Sequence, residues 1–244
     1  MPDSTAKVAL VTGANKGIGF EISRQLARRG FTVLIGARDA SRGAQAAGLL
    51  RQEGLAVESL KLDVTLAADR AAAVQLIADQ FGRLDVLINN AGTILDRGVP
   101  ASEVSSDVLH RTFEVNFFSV VALTQQLLPL LRKSDAGRIV NLSSNLASLT
   151  LHSDPRSDIY HVKPLAYDAS KTALNAFTIH LAHELRDTLI KVNAAHPGWV
   201  KTTMGGDEAP MDVADGAVTS LQLATLPSDG PSGGFFHLGQ SIAW

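Results

Sequence analysis

The sequence contains no cysteine. Disulfides, zinc–thiolate sites and cysteine nucleophiles are therefore excluded, and the chain suits a reducing compartment, so the expected location is the cytoplasm. It also lacks a basic excess. Lys plus Arg number 22 against 24 for Asp plus Glu, a formal net charge of −2. A nucleic-acid partner needs a cationic face that displaces counterions, so none is expected. Long apolar runs are missing too: residues 117–131 come nearest to a membrane span, and Thr124, Gln125 and Gln126 interrupt them. No membrane partner is expected. Residues 1–6 have no basic segment followed by an apolar stretch, so no secretory signal is read there. Repeats and low-complexity tracts are absent.

What is present is a globular composition. Apolar residues make up 45% of 244, enough for a substantial core, and no linker divides the chain, so residues 1–244 read as one domain. Strand-like and helix-like segments alternate throughout. Strands are expected at 7–11, 31–36, 57–62, 84–88, 139–142, 190–195 and 235–238. Helices are expected from Ile18 onward, then over 41–53, 67–81, 106–132 with an interruption near its start, 165–187 and within 212–226. Residues 145–164 are polar, carry Pro155 and Pro164, and read as a loop. Alternation of this kind requires crossovers and predicts an α/β fold with a doubly wound, mostly parallel sheet covered by helices on both faces.

In such sheets ligands bind beyond the carboxyl ends of the strands. The first strand leads into Thr12-Gly13-Ala14-Asn15-Lys16-Gly17-Ile18-Gly19 and then a helix. Glycines permit a tight turn and close approach of phosphate oxygens to free N–H groups at the helix start. An ordinary strand-to-helix turn would carry glycines as well. The remaining strand ends decide between the two: Asn89-Asn90-Ala91-Gly92, Asn116 in the long helix, Asn141-Leu142-Ser143-Ser144, Tyr167-Asp168-Ala169-Ser170-Lys171, and Pro197-Gly198-Trp199-Val200-Lys201-Thr202.

This ordered set resembles the short-chain dehydrogenase/reductase family, over about residues 7–204. Ala37-Arg38-Asp39, the Pro-Gly-Trp turn and the ending Gly-Gly-Phe-Phe…Trp are similar to its carbonyl-reductase branch. The resemblance implies a Rossmann sheet and hydride transfer between a nicotinamide cofactor and a small carbonyl substrate. It assigns catalysis to Asn116, Ser144, Tyr167 and Lys171. Tyr167 and Lys171 are four apart, so they share a helix face. A phenol with a reference pKa of about 10 exchanges protons poorly near neutrality, and a nearby ammonium would favour its ionised form. The family pattern adds that Tyr167 is the acid in carbonyl reduction, that Lys171 also bonds the nicotinamide ribose, and that a relay passes from lysine through water to Asn116. The second serine of the pair, Ser144, is preferred over Ser143 as the partner of the substrate oxygen.

Cofactor contacts are expected from Gly13, Asn15, Lys16, Gly17, Ile18 and Gly19, with Asp63 and Val64 at the adenine and Asn90, Ala91 and Gly92 at its ribose. Tyr167, Lys171, Pro197, Gly198, Val200 and Thr202 are expected near the nicotinamide. An acidic residue closing the second strand would favour NAD and repel a 2′-phosphate. Here Ala37 occupies that place and Arg38 follows, with Lys16 as a second cation. NADPH/NADP+ is therefore predicted over NADH, although Asp39 lies close by.

Ser144 and Tyr167 are 23 positions apart, longer than the family's usual spacing. Residues 145–166 therefore hold an insertion centred on 153–162, and the choice between monomer and homo-oligomer stays open. Residues 201–215, with Gly205, Gly206 and Pro210, are a candidate substrate lid. Trp199, Met204 and Leu149 are candidate apolar walls of the pocket. His180, His183 and Glu184 lack metal-ligand spacing, so no metal is predicted, and His196 receives no role. Alternatives of the same fold are an NAD-dependent sugar or steroid alcohol dehydrogenase and a C=C reductase. A non-catalytic NADPH sensor is disfavoured by the presence of both Tyr167 and Lys171.

Overall fold

A run of five buried residues, Val8–Thr12, forms β1 and lies near the middle of the sheet. The computed structural model describes residues 6–244, so the reading of a missing N-terminal signal lies mostly outside the described residues. The order of elements is β1, α1 (Gly17–Arg28), β2 (Thr32–Ala37), α2 (Ala40–Gln52), β3 (Val57–Lys61), α3 (Ala67–Phe81) and β4 (Val86–Asn89). There follow α4 (Ser106–Phe113), a π-helical turn (Glu114–Phe118), α5 (Ser119–Leu131), β5 (Arg138–Leu142), a 3₁₀ turn (Asn145–Ala147) and α6 (Leu149–Ser153). The chain closes with α7 (Leu165–Glu184), β6 (Lys191–Ala195), α8 (Val213–Ala224), β7 (Phe235–His237) and β8 (Gln240–Ser241).

The strands pair in the order β3-β2-β1-β4-β5-β6-β7-β8. All neighbours are parallel except β7 and β8. The expected α/β Rossmann architecture is present, with one short extra strand: β8 is a hairpin return from β7 through Leu238 and Gly239. Crossovers reverse direction between β1 and β4, which opens the crevice at the carboxyl ends of these two strands.

Each face of the sheet carries its own core. On one side Val11, Val33, Ile35, Ile88 and Val140 pack with Ile22, Leu26, Leu50 and Leu221 of α1, α2 and α8. On the other Leu10, Leu34, Leu87, Ile139 and Val192 pack with Ile77, Leu123, Leu127 and Leu181 of α3, α5 and α7. Alternate residues of β1 thus feed opposite cores, as strand geometry requires.

The helix expected over 106–132 with an interruption near its start is present as the column Ser106–Leu131, with the π turn as its interruption, and its richest window reaches a mean hydropathy of 1.2. Its apolar face is spent on the sheet: Leu123, Leu127, Leu130 and Leu131 are buried in the second core. The segment 145–164, read as a loop from its polarity, holds the 3₁₀ turn and α6. Ser144 Oγ caps the first by accepting from Leu146 N at 3.2 Å, and Ser148 Oγ caps the second by accepting from Leu151 N at 3.1 Å. Serine is a helix-starting residue at these positions rather than a loop former.

Candidate active site

The glycine loop holds its shape by close contacts. Gly13 has φ +63°, and a Cβ there would lie 2.9 Å from Ala91 Cα. A Cβ on Gly19 would meet Asn90 Nδ2 at 2.4 Å. Thr12 Oγ1 accepts from Asn90 N and Ala91 N, each at 3.0 Å. Asn90 Nδ2 donates to Thr12 O and Gly13 O at 2.8 and 3.2 Å. The 89–92 turn is therefore bolted to the 12–19 loop across the switch point. Asn90, expected as a cofactor ligand, spends its amide on this bolt. Thr12 was missed by sequence reasoning; a hydroxyl closing an otherwise apolar strand is the signal that marks it.

The start of α1 is open to an anion. Lys16 is its N-cap and supplies no side-chain acceptor, and no acidic residue lies in the first turn. The first N–H groups, including those of Gly17, Ile18 and Gly19, therefore lack local caps, which fits a phosphate. Lys16 is exposed, and its Nζ donates to Thr203 Oγ1 at 3.3 Å. Because Thr12 pairs with Gly36 in register, Arg38 leaves β2 at the same edge, also exposed. Asp39 turns away from this task. Its Oδ1 accepts from Arg42 N at 3.0 Å as the cap of α2, and that bond together with the Arg42 charge holds its carboxyl below the usual range. Asp63 makes a turn of its own, accepting from Thr65 N and Thr65 Oγ1 at 3.0 and 2.7 Å, beside buried Val64. Asn15 is half-buried in the loop.

Under the other side of the crevice lies the Tyr-Lys pair. Lys171 is buried, and its Nζ donates to Leu142 O at 2.7 Å at the end of β5 and sits 5.9 Å from the centroid of the Tyr167 ring. Burial pushes the Lys171 ammonium down to about 8. Burial pushes the Tyr167 phenol up to about 12, against a lowering hydrogen bond from Ser144 and the Arg97 charge, with Asp168 raising it further. Tyr167 as a whole is half-buried, and desolvation of its phenol outweighs the hydrogen bond from Ser144 and the Arg97 charge.

The two serines separate cleanly. Ser143 Oγ donates to Asn175 Oδ1 at 2.7 Å and is committed to α7. Ser144 faces Tyr167, with its own oxygen also accepting from Leu146 N. His196, which received no role from the sequence, steadies this corner: its Nδ1 accepts from Asn145 N at 3.2 Å. Burial, then the neighbouring His237, pushes its imidazole down to about 3, so it stays neutral as that bond needs.

Asn116 lies in the π-helical turn and is fully buried. Its Oδ1 accepts from Thr93 N at 2.8 Å, and its Nδ2 donates to Thr93 O at 2.9 Å and to Ser170 Oγ at 3.0 Å. Both amide hydrogens are engaged, so the side chain of Asn116 braces α7 and the 92–93 turn. A Cβ on Gly92 would lie 3.5 Å from Asn116 Oδ1 and 3.6 Å from Lys171 Nζ, so both tips converge below that turn. A single π turn is the device that swings one helical residue out of register to reach a site.

The segment after β6 covers the crevice. Gly198 has φ +91°, and a Cβ there would meet Met211 Sδ at 2.1 Å, which shapes the Pro197-Gly198 turn. Val200 is buried and bridges to Met211, while Thr202 Cγ2 would touch a Cβ on Gly17 at 3.5 Å. Besides Lys16 to Thr203, Arg97 donates to Met204 O and Trp199 Nε1 donates to Gly205 O at 2.7 Å. Trp199 is 56% exposed, Met204 is exposed too, and Leu149 is 63% exposed on a separate cavity with His152 and Lys163, so none of the three is a core residue.

A glycine loop at the switch point and a Tyr-Lys pair at the same sheet edge, facing a strand-end serine, define a nucleotide-dependent oxidoreductase. Comparison with known proteins agrees. The family model described as short chain dehydrogenase matches residues 7–212. The chain is 34% identical to short-chain dehydrogenase/reductase 1 of Saponaria officinalis, covering 94% of this chain and 93% of that one. It is 34% identical to carbonyl reductase (NADPH) 3 of Rattus norvegicus, covering 93% of each. The NADPH-bound carbonyl reductase from chicken fatty liver superposes with a TM-score of 0.86 at 27% identity, covering 98% of this chain and 99% of that one. The protein belongs to the short chain dehydrogenase family, in its carbonyl-reductase-like branch.

Proposed function

We propose that the protein reduces an aldehyde or ketone to an alcohol with NADPH, reversibly. The observation that carries this reading is the facing of Ser144 and Tyr167, with desolvation of the phenol favouring its protonated form. A neutral phenol is the form that a general acid must have. Ser144 and Tyr167 would bind the carbonyl oxygen as two donors, polarising it, and Tyr167 would pass its proton to that oxygen as charge develops there. Lys171 holds its ammonium on Leu142 O beneath the ring and stands ready to stabilise the phenolate left behind.

Gly13, Gly17, Ile18 and Gly19 would hold the diphosphate, Arg38 and Lys16 the 2′-phosphate, Asp63 and Val64 the adenine, and Val200 and Thr202 the carboxamide. When bound, the cofactor supplies the hydride. The 2′-phosphate reading is favoured by the diversion of Asp39 into the α2 cap, which leaves Arg38 beside no committed acid ligand for ribose hydroxyls. It is also favoured by the NADPH named for the rat and chicken proteins. The test is a panel of aldehydes and ketones with cofactor oxidation as readout and product identification. Alcohol formation with a several-fold preference for NADPH is expected. Reduction of a C=C bond with the carbonyl intact, or preference for NADH, would overturn it.

A further inference from the structure

Arg97 stands at the mouth of the crevice with no part in the hydride and proton steps. Its place is fixed by the residue before it. Asp96 is fully buried in the loop after β4, and its Oδ2 accepts from Ala166 N at 2.6 Å. That bond ties the loop to the first turn of α7, whose own N-cap, Pro164, supplies no side-chain acceptor. Ala166 precedes Tyr167, so Arg97 leaves a fixed stem beside the tyrosine. Arg97 itself is exposed and reaches across to the segment after β6, where its Nη2 donates to Met204 O. Its charge holds the Tyr167 phenol lower than burial alone would.

The guanidinium is otherwise unspent. Met204 O is its one acceptor among the described residues, and no carboxylate there pairs with it, although Asp207 and Glu208 lie close by in the covering segment. Arg24 and Arg28, by contrast, share Glu53. The surroundings of Arg97 are apolar. Trp199 Nε1 donates to Gly205 O at 2.7 Å, so the indole and the guanidinium hold neighbouring carbonyls of one turn. Trp199, Met204 and the sequence neighbour Leu95 are all exposed. A ligand with an apolar body and one anionic group satisfies both features, since burying these side chains is favourable and an arginine fork matches a carboxylate with two parallel bonds.

We propose that the substrate is an apolar keto acid whose carboxylate is gripped by Arg97 while its carbonyl meets Ser144 and Tyr167. The role of Arg97 rests on the carbonyl-reductase reading of the same site and adds the substrate's charge to it. Arg97 holds the far end of the substrate and not the reacting oxygen, so it sets specificity. A neutral ketone of the same shape keeps the apolar contacts and loses the fork, and the discrimination shows chiefly in KM.

The test uses aryl keto acids of increasing chain length, each paired with its methyl ester, with NADPH and the whole protein. At the best chain length, kcat/KM of the wild type for the acid should exceed that for the ester by about tenfold, and the margin should shrink in high salt. Arg97→Gln keeps a donor for Met204 O and removes the charge. It should erase the advantage of the acid and leave ester turnover close to wild type, while Arg97→Lys keeps part of the advantage. Equal losses on acid and ester in Arg97→Gln would make Arg97 a latch for the covering segment only and overturn the proposal, as would a wild type that does not prefer the acid. Calorimetric binding of the same pairs to the NADP+-loaded protein separates this from the reaction. Acid-selective binding that Arg97→Gln abolishes, with neither compound turned over, would uphold the anion site and overturn the carbonyl-reductase reading. Turnover of the ester with equal or absent binding preference would do the reverse.

Discussion

Ser143 Oγ donates to Asn175 Oδ1 at 2.7 Å, and this bond takes one serine of the 143–144 pair out of the chemistry. Ser143→Ala should then cost about 1 kcal/mol or more in stability, with turnover kept within a few-fold. Ser144→Ala should leave the melting temperature within a few degrees and lower kcat by about a hundredfold, the size of one lost donor at a developing oxyanion. Thermal unfolding and turnover of both variants check the division; the reverse pattern would exchange the roles of the two serines.

Arg38 and Lys16 leave the sheet at one edge, on the strands that pair Thr12 with Gly36. Arg38→Asp places a carboxylate where the 2′-phosphate is expected. Loss of a charge-assisted pair of about 1.5–3 kcal/mol should lower kcat/KM for NADPH by about ten- to a hundredfold and leave NADH little changed or improved. The ratio of the two efficiencies is the measurement, and an unchanged ratio would refute the assignment.

Thr12 Oγ1 bolts the 89–92 turn to the glycine loop through two N–H groups at 3.0 Å. Thr12→Val keeps the shape and leaves both donors without that acceptor. Stability should fall by about 2 kcal/mol, and cofactor should bind several-fold more weakly because the two lips of the crevice lose their common anchor. Denaturant unfolding and cofactor titration measure the two effects separately.

His196 brings a pH dependence to the same corner. Its imidazole, held down to about 3 by burial and by His237, is unprotonated in the fold, whereas the unfolded chain binds a proton near pH 6.5. Its contribution is therefore complete above about pH 6.5 and is lost as pH falls towards 3. Asparagine at this position keeps an acceptor for Asn145 N without the titration. The melting temperature of His196→Asn should thus fall less between about pH 6.5 and pH 4 than that of the wild type.

The fold was legible because its signals are local and redundant. Apolar runs such as Val8–Thr12 and the glycines after them mark strand, turn and helix within about a dozen residues each. Tyr167, Lys171 and Ser144 were legible by their order along the chain, and the structure brings all three to one edge. Less visible was whatever depends on partners distant in sequence. The amides of Asn90 and Asn116 bond Thr12, Gly13, Thr93 and Ser170, partners that no local pattern announces. The capping of α2 by Asp39 likewise depends on where the helix starts in the packed chain. A lysine four residues from Tyr167 shows in the sequence, whereas the desolvation that raises the phenol's pKa shows only in the packed site. The 145–164 segment was misread because Ser144 and Ser148 start helices there that are too short to carry periodicity.

The central claim is that Tyr167 donates the proton from a site Ser144 and Lys171 complete. Tyr167→Phe removes one oxygen and leaves the ring packed over Lys171. Measured with NADPH and the best substrate of the carbonyl panel, kcat should fall by about 10²- to 10⁴-fold, the range of a lost general acid, while cofactor affinity and melting temperature stay close to wild type. Turnover undiminished in Tyr167→Phe would contradict the account.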